Sequence, residues 1–224
     1  MAAQEYWDKI YSESVFKGGK SPLPFLVDMF PRLQKGKLLD IAMGEGANAV
    51  FLAQKGMSVK GFDISSVAIE RANQLAKETG VASDFKTADL DLFLLGLMEY
   101  DSIIMTNFKP LATRYYSELI RALKQGGTLL VQSYMINEMK EAYSQDEGYK
   151  NYFYSPNELL QNLKGLRILF YHEGDVNGKT VVQCLAQKPL DKDAAKYNLF
   201  SMSTTPEKPK SPHLDLAESI FKKK

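Results

Sequence analysis

The chain has 224 residues, 45% of them apolar and 25% charged, with a formal net charge of +1. That length suits one well-buried domain with a short extension, and the ordinary composition excludes a fibrous or largely disordered protein. The near-neutral balance excludes a strong global field for drawing in nucleic acid or an anionic membrane.

The first residues, "MAAQEYWDKIYSES", lack the basic flank and apolar core of a secretory signal. No apolar run approaches the ~20 residues of a membrane span. A cytoplasmic protein without membrane or nucleic-acid partners is therefore expected. Tyr6, Trp7, Ile10 and Tyr11 fall at helical spacing and predict a short amphipathic helix over residues 2–13. "KGGKSPLP" leads to a second helix through "FLVDMFPRL", which Pro31 should bend or end near Phe30.

From Gly36 onward strands and helices alternate. Strands are predicted over 37–42, 58–63, 82–87, 100–105 and 128–134. Helices are predicted over 47–55, over 65–79 with Ser65 or Ser66 as N-cap, and over 111–123 with a stop at Gly126-Gly127. Ser155 should cap "SPNELLQNL", with Pro156 at the first helical position and Glu158 placed for a capping box. "RILFYHE" and "KTVVQCLAQ" flank Asn177-Gly178, a strong hairpin signal. The single cysteine, Cys184, rules out an internal disulfide and reads as a small buried strand residue. The pattern specifies an α/β fold: a mostly parallel sheet with helices on both faces, closed by an antiparallel C-terminal hairpin. Residues 190–224 are polar, bear prolines and end in a lysine run, so a mobile tail is expected, with "LDLAESIF" as its amphipathic part.

"LLDIAMGEGANA", residues 38–49, holds the chemistry. Gly44, Gly46 and Ala49 form G-x-G-x-x-A between a strand and a helix, the setting of a nucleotide-binding loop. Asp63 ends the next strand, where an acid accepts from ribose hydroxyls. Both features suit any adenosine-bearing cofactor, and charge separates the options. A dinucleotide would set its pyrophosphate over this loop, close to Asp40 and Glu45. Two like charges 4 Å apart cost roughly 4 kcal/mol at an effective dielectric near 20. A cofactor with a cationic end, such as S-adenosylmethionine, fits better, and Asp89 after the third strand completes a row of acids at three successive strand ends.

"LLDIAMGEGANAVFLA", "VKGFDIS", "FKTADL" and "YDSIIM…ELIRALKQGGTLLV" together resemble the class I S-adenosylmethionine-dependent methyltransferases, over roughly residues 5–188. The resemblance implies a Rossmann-like seven-stranded sheet with its last strand antiparallel, and methyl transfer leaving S-adenosyl-L-homocysteine. Met43 departs from the cysteine or small residue of many members, at a position that meets the cofactor through its backbone. "YWDKIY…FKGGKSPLPFLVDMFPRL" resembles the entry of the tellurite-resistance and thiopurine methyltransferases, where an N-terminal helix with an aromatic residue covers the cofactor. Trp7 and Tyr11 match that role. The cofactor-contacting set expected on this reading is Trp7, Tyr11, Asp40, Ala42, Met43, Gly44, Gly46, Asn48, Asp63, Ile64, Ala88, Asp89, Leu90, Thr106 and Asn107, with no metal.

Methyl transfer from a sulfonium needs mainly an acceptor held in line, and soft nucleophiles need little base assistance. Only two histidines occur, neither near the motifs of the first four strands. A small-molecule acceptor, a thiol or a chalcogen oxyanion, is expected, with His172 as the candidate substrate contact and no catalytic base assigned. "TNFKP" lacks the paired prolines of enzymes that methylate base amino groups. The organisation expected is an N-terminal helical cap over 1–35, a cofactor-binding domain over 36–189 and the tail, in a monomer or weak homodimer. The competing readings are a non-catalytic S-adenosylmethionine-binding scaffold and an NAD-dependent oxidoreductase.

Overall fold

The computed structural model describes residues 3–13, 16, 19–90, 94–138 and 152–190. In chain order the elements are α1 (Ala3–Glu13), α2 (Pro24–Met29), β1 (Lys37–Ile41), α3 (Ala47–Gln54), β2 (Ser58–Asp63), α4 (Ser66–Thr79) and β3 (Asp84–Thr87). They continue with β4 (Tyr100–Thr106), α5 (Arg114–Ala122), β5 (Leu123–Tyr134), α6 (Glu158–Asn162), β6 (Arg167–Val176) and β7 (Lys179–Gln187). One seven-stranded sheet runs β3-β2-β1-β4-β5-β7-β6. The β1–β2, β1–β4, β2–β3 and β4–β5 pairs are parallel, and β7 runs antiparallel to both β5 and β6. This is the Rossmann-like arrangement expected of the alternating pattern.

Local chemistry sets the boundaries. Ser65 caps α4, its hydroxyl accepting from the Ala68 amide at 3.2 Å, and Gly80 ends it in the left-handed region at φ 71°. Pro31 lies in a 3₁₀ turn over Phe30–Arg32 directly after α2, as a residue without an amide proton dictates. Asn177 and Gly178, at φ 55° and 76°, make the β6–β7 turn.

Beside shifts of a few residues at other ends, such as α5 beginning at Arg114 instead of 111, two boundaries differ in kind from the expectation. The helix expected over 111–123 ends at Ala122, and Gly126-Gly127 lie inside β5. There the Gly126 amide donates to the Lys188 carbonyl and the Lys188 amide to that of Gly127, so the glycines extend the sheet. The helix expected at Ser155 begins only at Glu158, because Asn157 adopts φ 62° and its amide donates to Glu173 Oε1 at 2.8 Å. Half of the predicted capping box forms: the Ser155 amide donates to Glu158 Oε2 at 2.9 Å.

The sheet separates two apolar cores. One face buries Leu39, Ile103, Val131 and Cys184 with residues of α5 and α6; the other buries Leu38, Ile104, Leu130 and Leu185 with residues of α2, α3 and α4. Burial pushes the Cys184 thiol up to about 12, so it stays protonated and inert at neutral pH. Among the described residues no helix is long and apolar enough to cross a membrane. The expected tail from residue 191 on, including "LDLAESIF", lies outside the described residues.

Candidate functional site

Three acids mark the carboxyl ends of adjacent strands. Asp40 is the penultimate residue of β1, Asp63 the last of β2, and Asp89 lies two residues past β3. In an open parallel sheet this edge forms the ligand crevice. The glycine loop rises between β1 and α3 with Ala42, Gly44 and Gly46 at φ 53°, 56° and 85°. Ala42 in that region is strained, since its Cβ crowds the backbone.

The two glycines have different reasons. A Cβ at Gly46 would lie 2.7 Å from the Ala72 Cβ, so glycine there permits α3 and α4 to pack closely. A Cβ at Gly44 would lie 2.8 Å from the Tyr11 hydroxyl, so Gly44 leaves room above the loop, beneath α1.

Asp63 joins loop and sheet. Its Oδ2 accepts from the Gly44 amide and its Oδ1 from the Ser65 amide, both at 2.9 Å. Burial raises its pKa, and the backbone amides of Ser65, Gly44 and Ile64 partly offset this. The Ala88 amide donates to the Asp63 carbonyl at 2.9 Å, fixing the end of β3 beside it. Ile64, Ala88, Asp89 and Leu90 are all half-buried along this edge.

Asp40 differs. It is fully buried and in register with Gly61 and Ile104. Both carboxyl oxygens lack a hydrogen-bond partner among the described residues. Burial, reinforced by the charge of Asp63, lifts its pKa well above the usual carboxylate range. A buried carboxyl left this way is costly unless it stays protonated or meets a cation.

Glu45 requires a correction. The expectation counted it as a bare negative charge over the loop. Its Oε1 lies 2.8 Å from Arg71 Nη1 and accepts from the Phe16 amide at 2.7 Å. Arg71, one turn into α4, neutralises it, so Glu45 does not by itself repel a phosphate. The same guanidinium donates to the Tyr11 carbonyl at 2.6 Å, tying α1 to the loop. Asp8 supplies a second tie. Its Oδ1 accepts from the Ser65 hydroxyl at 2.6 Å and the Val67 amide at 3.3 Å, placing an anion at the start of α4. Sequence reasoning missed Asp8 and Arg71; an acid one residue after Trp7 on the predicted helix was their only signal.

Of the aromatic pair, Tyr11 reaches the loop, and burial with the charges of Asp63 and Glu45 raises its phenol pKa. Trp7 is half-buried, its ring centroid 5.4 Å from Tyr6 and 6.2 Å from Tyr11. Asn48 bridges: its Oδ1 accepts from the Leu23 amide at 2.9 Å, and its Nδ2 donates to Thr106 Oγ1 at 3.0 Å. Met43 is buried, its amide donating to the Phe62 carbonyl at 3.1 Å. Asn107 closes β4 at φ 53° and donates its amide to the Gln132 carbonyl at 2.7 Å. His172 lies apart, on edge strand β6, in register with Gln183. A separate depression, lined by residues including Met57, Ser58, Gly80 and Asp84, sits at the opposite, amino ends of β2 and β3, away from these acids.

Known proteins match this geometry. Residues 38–127 match the family described as a methyltransferase domain. The tRNA (uracil(54)-C(5))-methyltransferase of Pyrococcus furiosus is 29% identical over 139 residues, covering 55% of this chain and 32% of that protein. The chain thus aligns with about a third of that relative's length. A solved structure from work on conversion of a disulfide bond into a thioacetal group during echinomycin biosynthesis superposes with a TM-score of 0.66 at 21% identity, covering 98% of each chain. A SAM-dependent methyltransferase of Methanosarcina mazei superposes with a TM-score of 0.58 at 22% identity, covering 76% of this chain and all (100%) of that one. The chain has the fold of the class I methyltransferases, with its similarity to methyltransferase domains centred on residues 38–127.

Proposed function

We propose that the protein is an S-adenosylmethionine-dependent methyltransferase acting on a small molecule, a thiol or a chalcogen oxyanion. The observation that carries this is Asp40: a fully buried carboxyl with neither oxygen partnered among the described residues, at the end of the strand that feeds the glycine loop. A cationic ligand end supplies what that group lacks. With Glu45 neutralised by Arg71, the preference for a cation over a pyrophosphate rests on Asp40.

The residues fit that cofactor. A carboxylate offers about four lone-pair sites, so Asp63 would accept from a ribose hydroxyl beside its backbone donors. On this reading Asp89 would accept from the adenine amino group, and Gly44 and Gly46 would let the backbone meet the methionine portion. Thr106, the last residue of β4, and Asn107 after it would face the cofactor. The proposed division follows: residues 1–35 as a cap carrying Tyr11 and Trp7, residues 36–189 as the cofactor-binding domain, and residues 190–224 as an extension. The cap's segment resembles the tellurite-resistance and thiopurine methyltransferases, and this supports a small acceptor.

When bound, the cofactor supplies an electrophilic methyl group. That methyl would pass to the acceptor with the sulfonium's bonding pair staying on the departing thioether, and a thiol's proton would pass to solvent. The chain's task is then to hold the acceptor in line. Calorimetric titration with S-adenosylhomocysteine and with NAD tests the reading. Binding of the first and not the second is expected; tight binding of NAD alone would overturn it.

A further inference from the structure

Four strands change character at the same level of the sheet. Ile104, Leu130, Leu185 and Phe170 are cross-strand neighbours, and Asp40 joins them in register with Ile104. Two residues nearer the carboxyl edge the next row on the same face is Thr106, Gln132, Gln183 and His172. An apolar row is thus followed by a wholly polar one. With strands about 4.8 Å apart, that row is roughly 14 Å long. Its inner end is Thr106, held by Asn48 beside the glycine loop.

The centre of the row is an amide pair. Gln183 Nε2 donates to Gln132 Oε1 at 2.7 Å. The two side chains are more than nine-tenths buried, at 7% and 8% exposure. Whichever way the amides are set, one contact consumes one donor and one acceptor. A free N–H and a free carbonyl remain without partners among the described residues. The outer end is His172, whose ring leans along β6 over Gly174, where a Cβ would come within 3.1 Å of Cε1. The row contains no lysine or arginine.

Resting on the methyltransferase reading, we propose that Gln132, Gln183 and His172 bind the methyl acceptor, and that the acceptor is an uncharged thiol bearing an amide. The remaining N–H and carbonyl of this bonded pair match an amide's own carbonyl and N–H. A thiol two carbons from that amide would reach back to the Thr106 end. An oxyanion finds no cation in the row to offset its desolvation, so the chalcogen alternative is disfavoured.

The test uses the full chain. Titration with S-adenosylhomocysteine first establishes cofactor binding, and its failure would remove the methyltransferase reading and this proposal together. Methyl transfer is then measured to N-acetylcysteamine and pantetheine (neutral amide thiols), cysteamine (cationic), thioglycolate (anionic) and selenite. The neutral amide thiols should give the highest kcat/KM. Gln183→Leu should raise their KM roughly five- to ten-fold, the loss of about one hydrogen bond, with S-adenosylhomocysteine affinity unchanged. His172→Ala, at a half-buried position, should raise KM for pantetheine more than for the shorter N-acetylcysteamine. Cofactor binding without transfer to either neutral thiol, faster transfer to selenite or thioglycolate, or an unchanged KM in both variants would overturn the acceptor assignment while leaving the methyltransferase reading in place.

Discussion

The Gly44 amide donates to Asp63 Oδ2 at 2.9 Å, so the glycine loop hangs from the tip of the neighbouring strand. The other oxygen of the same carboxylate receives the Ser65 amide and helps to start α4. Asp63 is therefore structural, whatever further role the proposed ribose contact gives it. Asp63→Ala should lower ligand-free stability by about 2–4 kcal/mol in urea denaturation, because two buried donors lose their acceptor. Asp63→Asn keeps one acceptor oxygen and should lose less. Equal stability of all three proteins would show that the loop does not depend on this contact.

The two loop glycines should separate in mutants. Gly46→Ala combines a left-handed backbone at φ 85° with a contact of 2.7 Å to Ala72, and should destabilise by roughly 2 kcal/mol or more. Gly44→Ala also bears a left-handed backbone, at φ 56°, but meets only the end of the Tyr11 side chain. Its effect should fall on α1, seen as faster hydrogen exchange in residues 3–13 with a smaller change in global stability. The reverse order would contradict the packing assigned to each.

Arg71 should act as the tie between α1 and the loop. Arg71→Met leaves Glu45, 6% exposed, without its guanidinium partner, and should cost on the order of 3 kcal/mol. Hydrogen exchange in residues 3–13 should rise as the contact to the Tyr11 carbonyl is lost. Unchanged exchange there would show that Asp8 alone holds the helix.

The architecture was legible because its signals are local. Period-two and unbroken apolar runs marked all seven strands, and Ser65, Pro31 and Asn177-Gly178 carried their own backbone preferences. The row of acids was legible because each lies at or just past the end of a strand. What stayed hidden depends on distant pairing. Glu45 reads as a bare charge until α4 brings Arg71 beside it, 26 residues along the chain. The Gln132–Gln183 pair exists only once β7 is set antiparallel to β5, 51 residues apart. Gly126-Gly127 read as a helix stop because glycine punctuates helices, whereas here tertiary pairing with Lys188 overrides that preference.

Asp40 also sets a pH dependence. Its pKa in the folded protein is raised by burial, so the folded state holds this proton more tightly than the unfolded chain does. Asp40's own contribution to ligand-free stability is fully present below the ordinary aspartate range and is lost as pH rises through its folded-state pKa. Asp40→Asn should remove that part of the slope and stabilise the ligand-free protein at neutral pH. Denaturation curves at several pH values measure this, and an unaltered slope in the variant would contradict it.

On cofactor binding, Asp40 is expected to become the anion that faces the ligand's cationic end. The most direct measurement is proton release on binding, by calorimetric titration of S-adenosylmethionine in two buffers of different ionisation heat, at a pH where ligand-free Asp40 is protonated. The account predicts that the wild type releases up to one proton as Asp40 ionises beside the ligand's positive charge. Asp40→Asn should bind about ten-fold or more weakly, the loss of one charge contact, and release none from this site. Equal affinity and equal proton release in the two proteins would contradict the account.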